Sequence, residues 1–170
     1  MESPVRIGLI ADTHMPLPQR PLPMAAIERA FRNVDLILHA GDLYTVDVID
    51  WLETIAPVVA VYGNGMDQFS ADPRLQRVQR LAIDGLTLGM THSLPYPASA
   101  AELGRRLGGR VDIAVCGDTH LPLIAECDGV LLVNPGSPTL PGPHQRIDVP
   151  GNVGLLTIVD GKVRAEILTL

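Results

Sequence analysis

The first third of the chain repeats a short apolar segment followed by a polar turn, and this pattern limits the fold more than any other feature. Segments 5–11, 35–39 and 58–62 are short and rich in Val, Ile, Leu and Ala, as buried strands are. The first two are followed by segments with helical spacing of apolar residues, at 24–32 and 45–55. Strands that alternate with helices predict a parallel sheet with helices packed on it.

The rest of the chain predicts further strands, largely antiparallel. Segments 75–83 and 86–90 flank Asp84-Gly85, a pair typical of hairpin turns. A helix at 98–107 and a buried strand at 111–116 follow. Four short strands close the chain, at 123–127, 130–133, 154–159 and 163–168. The sequence therefore predicts one α/β domain, residues 1–170, with two sheets.

Composition excludes several classes of protein. The formal net charge is −6 and Lys and Arg form no run, so we expect no nucleic-acid partner. With no basic start and no segment of about 20 apolar residues, we expect neither a signal peptide nor a membrane partner. Cys116 and Cys127 lie in apolar segments and are expected to be buried free thiols, which suits a reducing compartment. The expectation is therefore a cytoplasmic protein, with a homodimer as the default oligomeric state.

Polar side chains follow five of the predicted strands directly. They read Asp12-x-His14, Gly41-Asp42, Gly63-Asn64, His92 and Gly117-Asp118-x-His120. Each segment alone is typical of a helix cap, a turn or a structural histidine. Together they would converge at the carboxyl edge of a parallel sheet, where unpaired carboxylates would repel one another and lose hydration. A cation resolves that conflict, and mixed oxygen and nitrogen ligands suit Mn, Fe, Zn or Ni.

The order and spacing of these segments resemble the calcineurin-like metallophosphoesterase superfamily, and in particular its small bacterial and archaeal phosphodiesterases. The family pattern runs D-x-H, G-D, G-N-x-D, T-H-G, G-H-T-H and N-P-G-S. The corresponding segments here are Asp12-Thr13-His14, Gly41-Asp42, Gly63-Asn64-Gly65-Met66-Asp67, Thr91-His92, Gly117-Asp118-Thr119-His120 and Asn134-Pro135-Gly136-Ser137. The match extends from residue 5 to at least residue 137.

The resemblance implies a fold and a reaction. The implied fold is a four-layer αββα sandwich, in which two mixed β-sheets lie face to face with helices outside. The implied reaction is hydrolysis of a phosphodiester, or of a phosphomonoester, in a small substrate. A hydroxide that bridges two divalent ions would attack the phosphorus atom, with Asp42, Asn64 and His92 at the reacting centre.

The resemblance also implies how the ligands divide between two ions. The first ion would be held by Asp12, His14, Asp42 and His120. The second would be held by Asn64, His92 and Asp118, with Asp42 bridging the two ions. The second ion is the less secure of the two because position 118 departs from the family.

Position 118 is Asp where the family has His. A carboxylate is shorter than an imidazole and adds a negative charge, so we expect a second site of harder character, which favours Mn or Fe over Ni or Zn. Two alternatives remain open. Asp118 binds the second ion directly, or it binds through a water molecule and leaves that ion weakly held.

The turn 63–67 departs from the family as well. It is one residue longer than G-N-x-D, and it lacks the His with which relatives that read G-N-H-E protonate the leaving group. Asp67 and a metal-bound water are then the candidate acids. Ser93-Leu94 replaces the Gly-His that often follows T-H in the family, which alters the mouth of the site.

Two functions are compatible with these residues. The first is a metal-dependent phosphodiesterase that acts on a small phosphate ester. The second is a catalytically silent scaffold that binds protein partners, since a subunit of the retromer complex resembles this family and acts in that way. Six of the seven expected ligand positions are retained and the seventh can still bind a metal, which favours the enzyme.

Overall fold

Two β-sheets pack face to face, with short helices on both outer surfaces. The computed structural model describes residues 3–170, so the first two residues of the predicted domain 1–170 lie outside it. Its helices are α1 (Met24–Ala30), α2 (Asp47–Leu52) and α3 (Ala100–Arg106), and a 3-10 turn covers Met66–Phe69. Within this part of the chain, no helix is long and apolar enough to span a membrane. The strands are β1 (Val5–Ile10), β2 (Leu36–His39), β3 (Val58–Val61), β4 (Leu75–Gln76), β5 (Gln79–Ile83), β6 (Leu86–Met90), β7 (Ile113–Val115), β8 (Pro122–Cys127), β9 (Val130–Pro135), β10 (Asn152–Val159) and β11 (Lys162–Thr169).

Both sheets contain parallel and antiparallel neighbours. The first has the order β11-β10-β1-β2-β3-β4. Strands β1 to β4 run parallel in it, and β10 pairs antiparallel with both β1 and β11. The second has the order β5-β6-β7-β9-β8, with a parallel centre and antiparallel edge strands. The structure thus confirms the two mixed sheets.

Side-chain alternation along the strands divides the core into three apolar layers. Successive side chains of a strand point to opposite faces of the sheet. In β1, Ile10 therefore packs with Phe31 beneath α1 and α2, whereas Leu9 packs with Met90 between the sheets. A third layer, which includes Leu103, lies between α3 and the second sheet. Three apolar layers separate four layers of elements, which confirms the predicted αββα sandwich.

The prediction of one strand over residues 75–83 is wrong. Residues Leu75–Gln76 pair with β3 in the first sheet, whereas Gln79–Ile83 pair with β6 in the second. The chain crosses from one sheet to the other between these strands. Hydrophobic alternation does not reveal such a crossing, because a strand in either sheet has one face toward the shared core.

Strand register brings the turns after β1, β2, β3, β6 and β7 to one end of the sandwich. Ile10 lies opposite His39, and His39 lies opposite Ala60. In the second sheet, Met90 lies opposite Val115. The turns of the two sheets are also joined directly, since Asp118 N donates to Asp12 Oδ1 at 3.1 Å. The predicted site residues are therefore gathered where both sheets end.

Candidate metal centre

The predicted ligand residues meet at this end of the sandwich in strained turns. Non-glycine residues seldom adopt a left-handed backbone, although Asp and His accept it more readily than most. Such strain persists only where the surrounding structure enforces it, and it clusters at functional sites. Five of the seven predicted ligands have a positive φ: Asp12 (54°), His14 (47°), Asp42 (55°), Asp118 (72°) and His120 (59°).

One group of converging donors consists of Asp12, His14 and His120. A ligand atom from each lies within 4.8 Å of the other two, and all three residues are buried. The Nε2 atoms of the two histidines are 3.1 Å apart, and His120 Nε2 is 3.8 Å from Asp12 Oδ1. Two imidazoles and a carboxylate in a space largely closed to solvent suit a divalent transition-metal ion.

A second group consists of Asp12, Asp42 and His92, whose ligand atoms also lie within 4.8 Å of one another. His92 Nε2 is 3.6 Å from Asp42 Oδ1 and 4.0 Å from Asp12 Oδ1. Among the described residues, neither His92 Nε2 nor Asp12 Oδ2 finds a hydrogen-bond partner, and both atoms are buried. A buried polar atom without a partner destabilises the fold. A cation between these atoms would satisfy both, so the donor set fits a metal.

Two carboxylates lie between the groups. Asp12 belongs to both of them. Asp42 faces one histidine of each group, since its Oδ2 is 3.7 Å from His14 Nε2 and its Oδ1 is 3.6 Å from His92 Nε2. The bridging role of Asp42 stays a prediction, and the geometry makes Asp12 a second candidate for it.

Backbone carbonyls orient two of the histidines. His92 Nδ1 donates to the carbonyl oxygen of Ala40 at 2.7 Å, and His120 Nδ1 donates to that of Leu140 at 2.7 Å. A ring whose Nδ1 donates in this way turns its Nε2 atom into the site, where a metal ion would take the lone pair. Histidines that bind metals are commonly fixed in this way.

Asn64 and Asp118 lie together at the more exposed side of the site. Asn64 Nδ2 donates to Asp118 Oδ1 at 2.9 Å, and Ser93 Oγ donates to Asp118 Oδ2 at 2.8 Å. Asp118 Oδ1 also lies 3.6 Å from His92 Nε2, which places the carboxylate beside the second group. Both oxygens of Asp118 already have partners, in contrast to Asp12. Direct and water-mediated binding by Asp118 therefore both stay predictions.

Asp67 supports the turn that carries Asn64. Its side chain is buried, and Oδ2 accepts a hydrogen bond from Gly63 N at 2.7 Å. It belongs to neither of the two donor groups found in residues 3–170. The other oxygen, Oδ1, is buried without a hydrogen-bond partner among the described residues, and the proposed role of Asp67 as an acid stays a prediction.

Burial and neighbouring charges set the protonation of the site. Burial raises the pKa of Asp12 to about 8, despite the opposing effect of His92. Burial would lower the pKa of His92, but Asp42 and the carbonyl of Ala40 outweigh it and raise this pKa to about 9. Burial lowers the pKa of His14 to about 4, so that ring is neutral near pH 7. Burial opposes ionisation of Asp42 too, but His92 and the Gly65 amide hold its pKa at about 2.

Glycines let the ligand turns approach one another closely. A Cβ atom at Gly63 would overlap Asp42 Oδ1. Gly41 has a φ of 92°, and a Cβ atom there would lie 2.6 Å from His92 Nδ1. The Gly-Asn and Gly-Asp pairs of the sequence thus make room for the neighbouring ligand, in addition to forming turns.

Segment 134–140 ties the ligand turns together, a role that sequence reasoning missed. Ser137 Oγ donates to the carbonyl of Asp12 at 2.7 Å, and Asn134 Nδ2 donates to that of Gly117 at 2.7 Å. Leu140 supplies the carbonyl that orients His120. The N-P-G-S motif marked part of this segment, but its sequence does not show which distant turns it contacts.

Two further residues complete the surroundings of the site. His39 is buried beside it, with Nε2 3.2 Å from Thr13 Oγ1 and Nδ1 accepting a hydrogen bond from Gly41 N at 3.2 Å. Tyr44 meets the His14 ring edge-on, with centroids 4.7 Å apart. The only sequence signal for Tyr44 is its position two residues after Asp42.

Known proteins are similar to this chain in sequence and in fold. Residues 5–161 match the family model of the calcineurin-like phosphoesterase superfamily domain. A probable metallophosphoesterase of Methanothermobacter thermautotrophicus is 39% identical over 164 residues, which cover 95% of this chain and 91% of that protein. A phosphodiesterase of Methanocaldococcus jannaschii is 28% identical over 148 residues, 78% of this chain and 83% of that one. Vacuolar Protein Sorting 29 from Cryptosporidium parvum shares the fold, with a TM-score of 0.76 at 22% identity over 99% of both chains. The chain therefore belongs to the calcineurin-like phosphoesterase superfamily.

Proposed function

We propose that the protein hydrolyses phosphodiesters of small molecules, with phosphomonoesters as a further class, at a centre of two divalent metal ions. The observation that carries the proposal is the pair of donor groups that share Asp12. The buried atoms without hydrogen-bond partners in these groups support a cation site. Membership of the superfamily supports phosphoester chemistry, and the similarity to the phosphodiesterase of Methanocaldococcus jannaschii supports diesters in particular.

Some residues of the site would bind the metal ions, and others would position the substrate. Bound divalent ions would polarise the phosphoryl oxygens and lower the pKa of an attacking water molecule. His14 is neutral near pH 7 and Asp42 is ionised, so both are in the state that binds a cation. Asn64 is exposed and lies beside the partly exposed Asp118, at the more open side of the site. Its amide is placed to donate a hydrogen bond to a phosphoryl oxygen.

The donor chemistry favours Mn or Fe over Ni or Zn. The two groups, with Asn64 and Asp118 beside them, offer oxygen donors on four residues and nitrogen donors on three histidines. Carboxylate and amide oxygens suit the harder ions of the divalent series. Metal analysis of protein loaded separately with each ion tests this preference.

Turnover of bis(4-nitrophenyl) phosphate by the Mn-loaded protein tests the proposed function. We expect the natural chain to hydrolyse this ester. For Asp12→Asn we expect kcat/KM to fall by at least about a hundredfold, because the ions held by the shared carboxylate would stabilise the charge of the transition state by several kcal/mol. Asp160→Asn is the matched control. Asp160 also has a left-handed backbone (φ 49°), but it is exposed in the turn between β10 and β11.

Two results would contradict the proposal. The first is an absence of turnover with Mn, Fe, Ni and Zn in turn, which would favour the scaffold that binds protein partners. The second is equal turnover by Asp12→Asn and the natural chain, which would place the measured activity outside this site.

A further inference from the structure

Exposed aromatic side chains are concentrated beside the metal-ligand turns. The chain has only six Phe, Trp and Tyr residues. The three that are exposed, Tyr44, Phe69 and Tyr96, follow Asp42, Asn64 and His92 by two, five and four positions. Single exposed apolar residues are ordinary on protein surfaces, whereas their grouping marks a binding surface.

Tyr44 lies between two of the ligand turns. Its ring packs edge-on against His14, and a Cβ atom at Gly65 would overlap the Tyr44 ring. Gly65 N in turn donates to Asp42 Oδ1 at 2.7 Å. The residue is 39% exposed, so Tyr44 contacts His14 of the candidate metal centre while part of it faces solvent.

The 3-10 turn that follows Gly65 carries two further exposed apolar side chains. Met66 is 63% exposed and Phe69 is 76% exposed, and side chains three positions apart share one face of a 3-10 helix. Between them, Asp67 is buried and accepts from Gly63 N, and Gln68 Nε2 donates to the Asn64 carbonyl at 2.7 Å. The turn is thus fastened to the Asn64 turn while two large apolar side chains remain in solvent.

The carboxylates of the site have no strongly basic partners among the described residues. Within residues 3–170, the hydrogen bonds and ion pairs of the site carboxylates Asp12, Asp42, Asp67 and Asp118 involve no Lys or Arg. The contacts of these carboxylates therefore supply no lysine or arginine cation for a second phosphate group of a substrate. An uncharged organic group would instead remove apolar surface from water.

We infer that Tyr44, Met66 and Phe69 form an apolar rim that binds an aromatic group on the substrate phosphate. The inference rests on the proposed function and names its substrate class: esters whose organic part is an aryl or nucleobase-like ring. Contact with a ring favours aromatic over methyl groups by roughly tenfold in affinity.

Binding of two phosphonates to the Mn-loaded protein, measured by calorimetry, tests the rim. Phenylphosphonate and methylphosphonate share the same anionic group, so their affinity ratio isolates the organic substituent. We expect phenylphosphonate to bind about tenfold more tightly to the natural chain, and the ratio to fall to about threefold or less in Phe69→Ala and the double variant Met66→Ala/Phe69→Ala. Ile124→Ala removes an exposed apolar side chain on β8 and should leave the ratio unchanged.

Equal affinity for the two phosphonates in the natural chain would overturn the inference of an apolar rim. A preference for phenylphosphonate that survives in the double variant would overturn it as well. Metal content equal to that of the natural chain shows that each variant retains its fold and its ions. Methylphosphonate binding does not depend on the rim, and turnover of bis(4-nitrophenyl) phosphate requires the metal centre, with the rim affecting only the KM for this aryl ester. Their presence with a ratio near one would reject the rim alone, whereas their absence would reject the proposed function as well.

Discussion

Single residues at the site are held in states that an isolated chain would avoid. Asp12 combines a left-handed backbone, full burial and a carboxylate oxygen without a partner in the described chain. Each of these features destabilises the folded state. Their coincidence in one side chain is accounted for when a cation supplies the missing interaction, which is why Asp12 carries the metal assignment. Asp118 differs, because its left-handed backbone occurs with a partly exposed side chain whose oxygens are both hydrogen-bonded.

Replacing Asp118 with Ala should show which of the two metal sites depends on this residue. We expect the natural chain to retain two Mn ions and Asp118→Ala to retain one, because the Asp118 carboxylate lies 3.6 Å from His92 Nε2 of the second donor group and would complete that group alone. Atomic spectrometry of protein freed from excess metal gives the number of ions. Asp160→Ala is the control for loss of a carboxylate elsewhere. Two tightly held ions in Asp118→Ala would show that residue 118 is not a ligand.

At the level of strands and turns, the sequence predicted where the ligands would lie but not how they are held there. Apolar segments that end in Asp, His or Asn are visible in the sequence, and strand ends in mixed sheets converge. Other features depend on residues distant in the chain. The left-handed backbone of Asp42, the bond from Ser137 to the Asp12 carbonyl and the crossing between β4 and β5 follow from how the two sheets pack, which local patterns do not encode.

Ser137 gives a test of the segment that joins the turns. Its hydroxyl donates to the Asp12 carbonyl and accepts from the backbone N–H of Thr139 and Leu140. Ser137→Ala leaves the two N–H groups without this acceptor and leaves the Asp12 carbonyl only the longer bond from Thr139 Oγ1 at 3.3 Å, so we expect the free energy of unfolding to fall by about 1–3 kcal/mol. Metal affinity should fall roughly tenfold to a hundredfold, because the Asp12 turn is less firmly held. Denaturant unfolding and metal titration measure the two effects.

Thr169→Ala is the matched control for the loss of a hydroxyl. Thr169 is exposed on β11, where substitutions ordinarily change stability by no more than about 0.5 kcal/mol. A Ser137→Ala protein as stable as Thr169→Ala would show that the segment does not hold the turn. Loss of stability with unchanged metal affinity would assign Ser137 a role in the fold alone.

Over the whole molecule, the candidate metal donors come from both sheets, so a bound ion would join the halves of the sandwich. Asp12, His14, Asp42 and Asn64 follow strands of the first sheet, whereas His92, Asp118 and His120 follow strands of the second. Both donor groups contain a residue from each sheet. An ion bound by either group favours the packed arrangement over any state in which the sheets separate. Metal binding and stability are therefore linked through the entire fold.

This linkage predicts how stability depends on pH. In the metal-free protein, the pKa of Asp12 is raised to about 8 and that of His92 to about 9. The folded chain thus binds these protons more tightly than the unfolded chain does. The resulting stabilisation is complete below the ordinary pKa values of 3.8 and 6.5, and it is lost as pH rises through about 8 and 9. We expect the Tm of the metal-free protein to fall between pH 7 and pH 9.

Metal ions reverse that trend, because they displace the protons and bind more tightly as the protons leave. The gap between the Tm values of the Mn-loaded and metal-free protein should therefore widen from pH 7 to pH 9. Calorimetric scans with Mn and with a chelator measure both curves, and Asp12→Asn should flatten the metal-free curve because residue 12 no longer titrates. A metal-free Tm that rises over this range, or a gap that narrows, would mean that the buried carboxylate and imidazole do not hold the protons that a cation must displace.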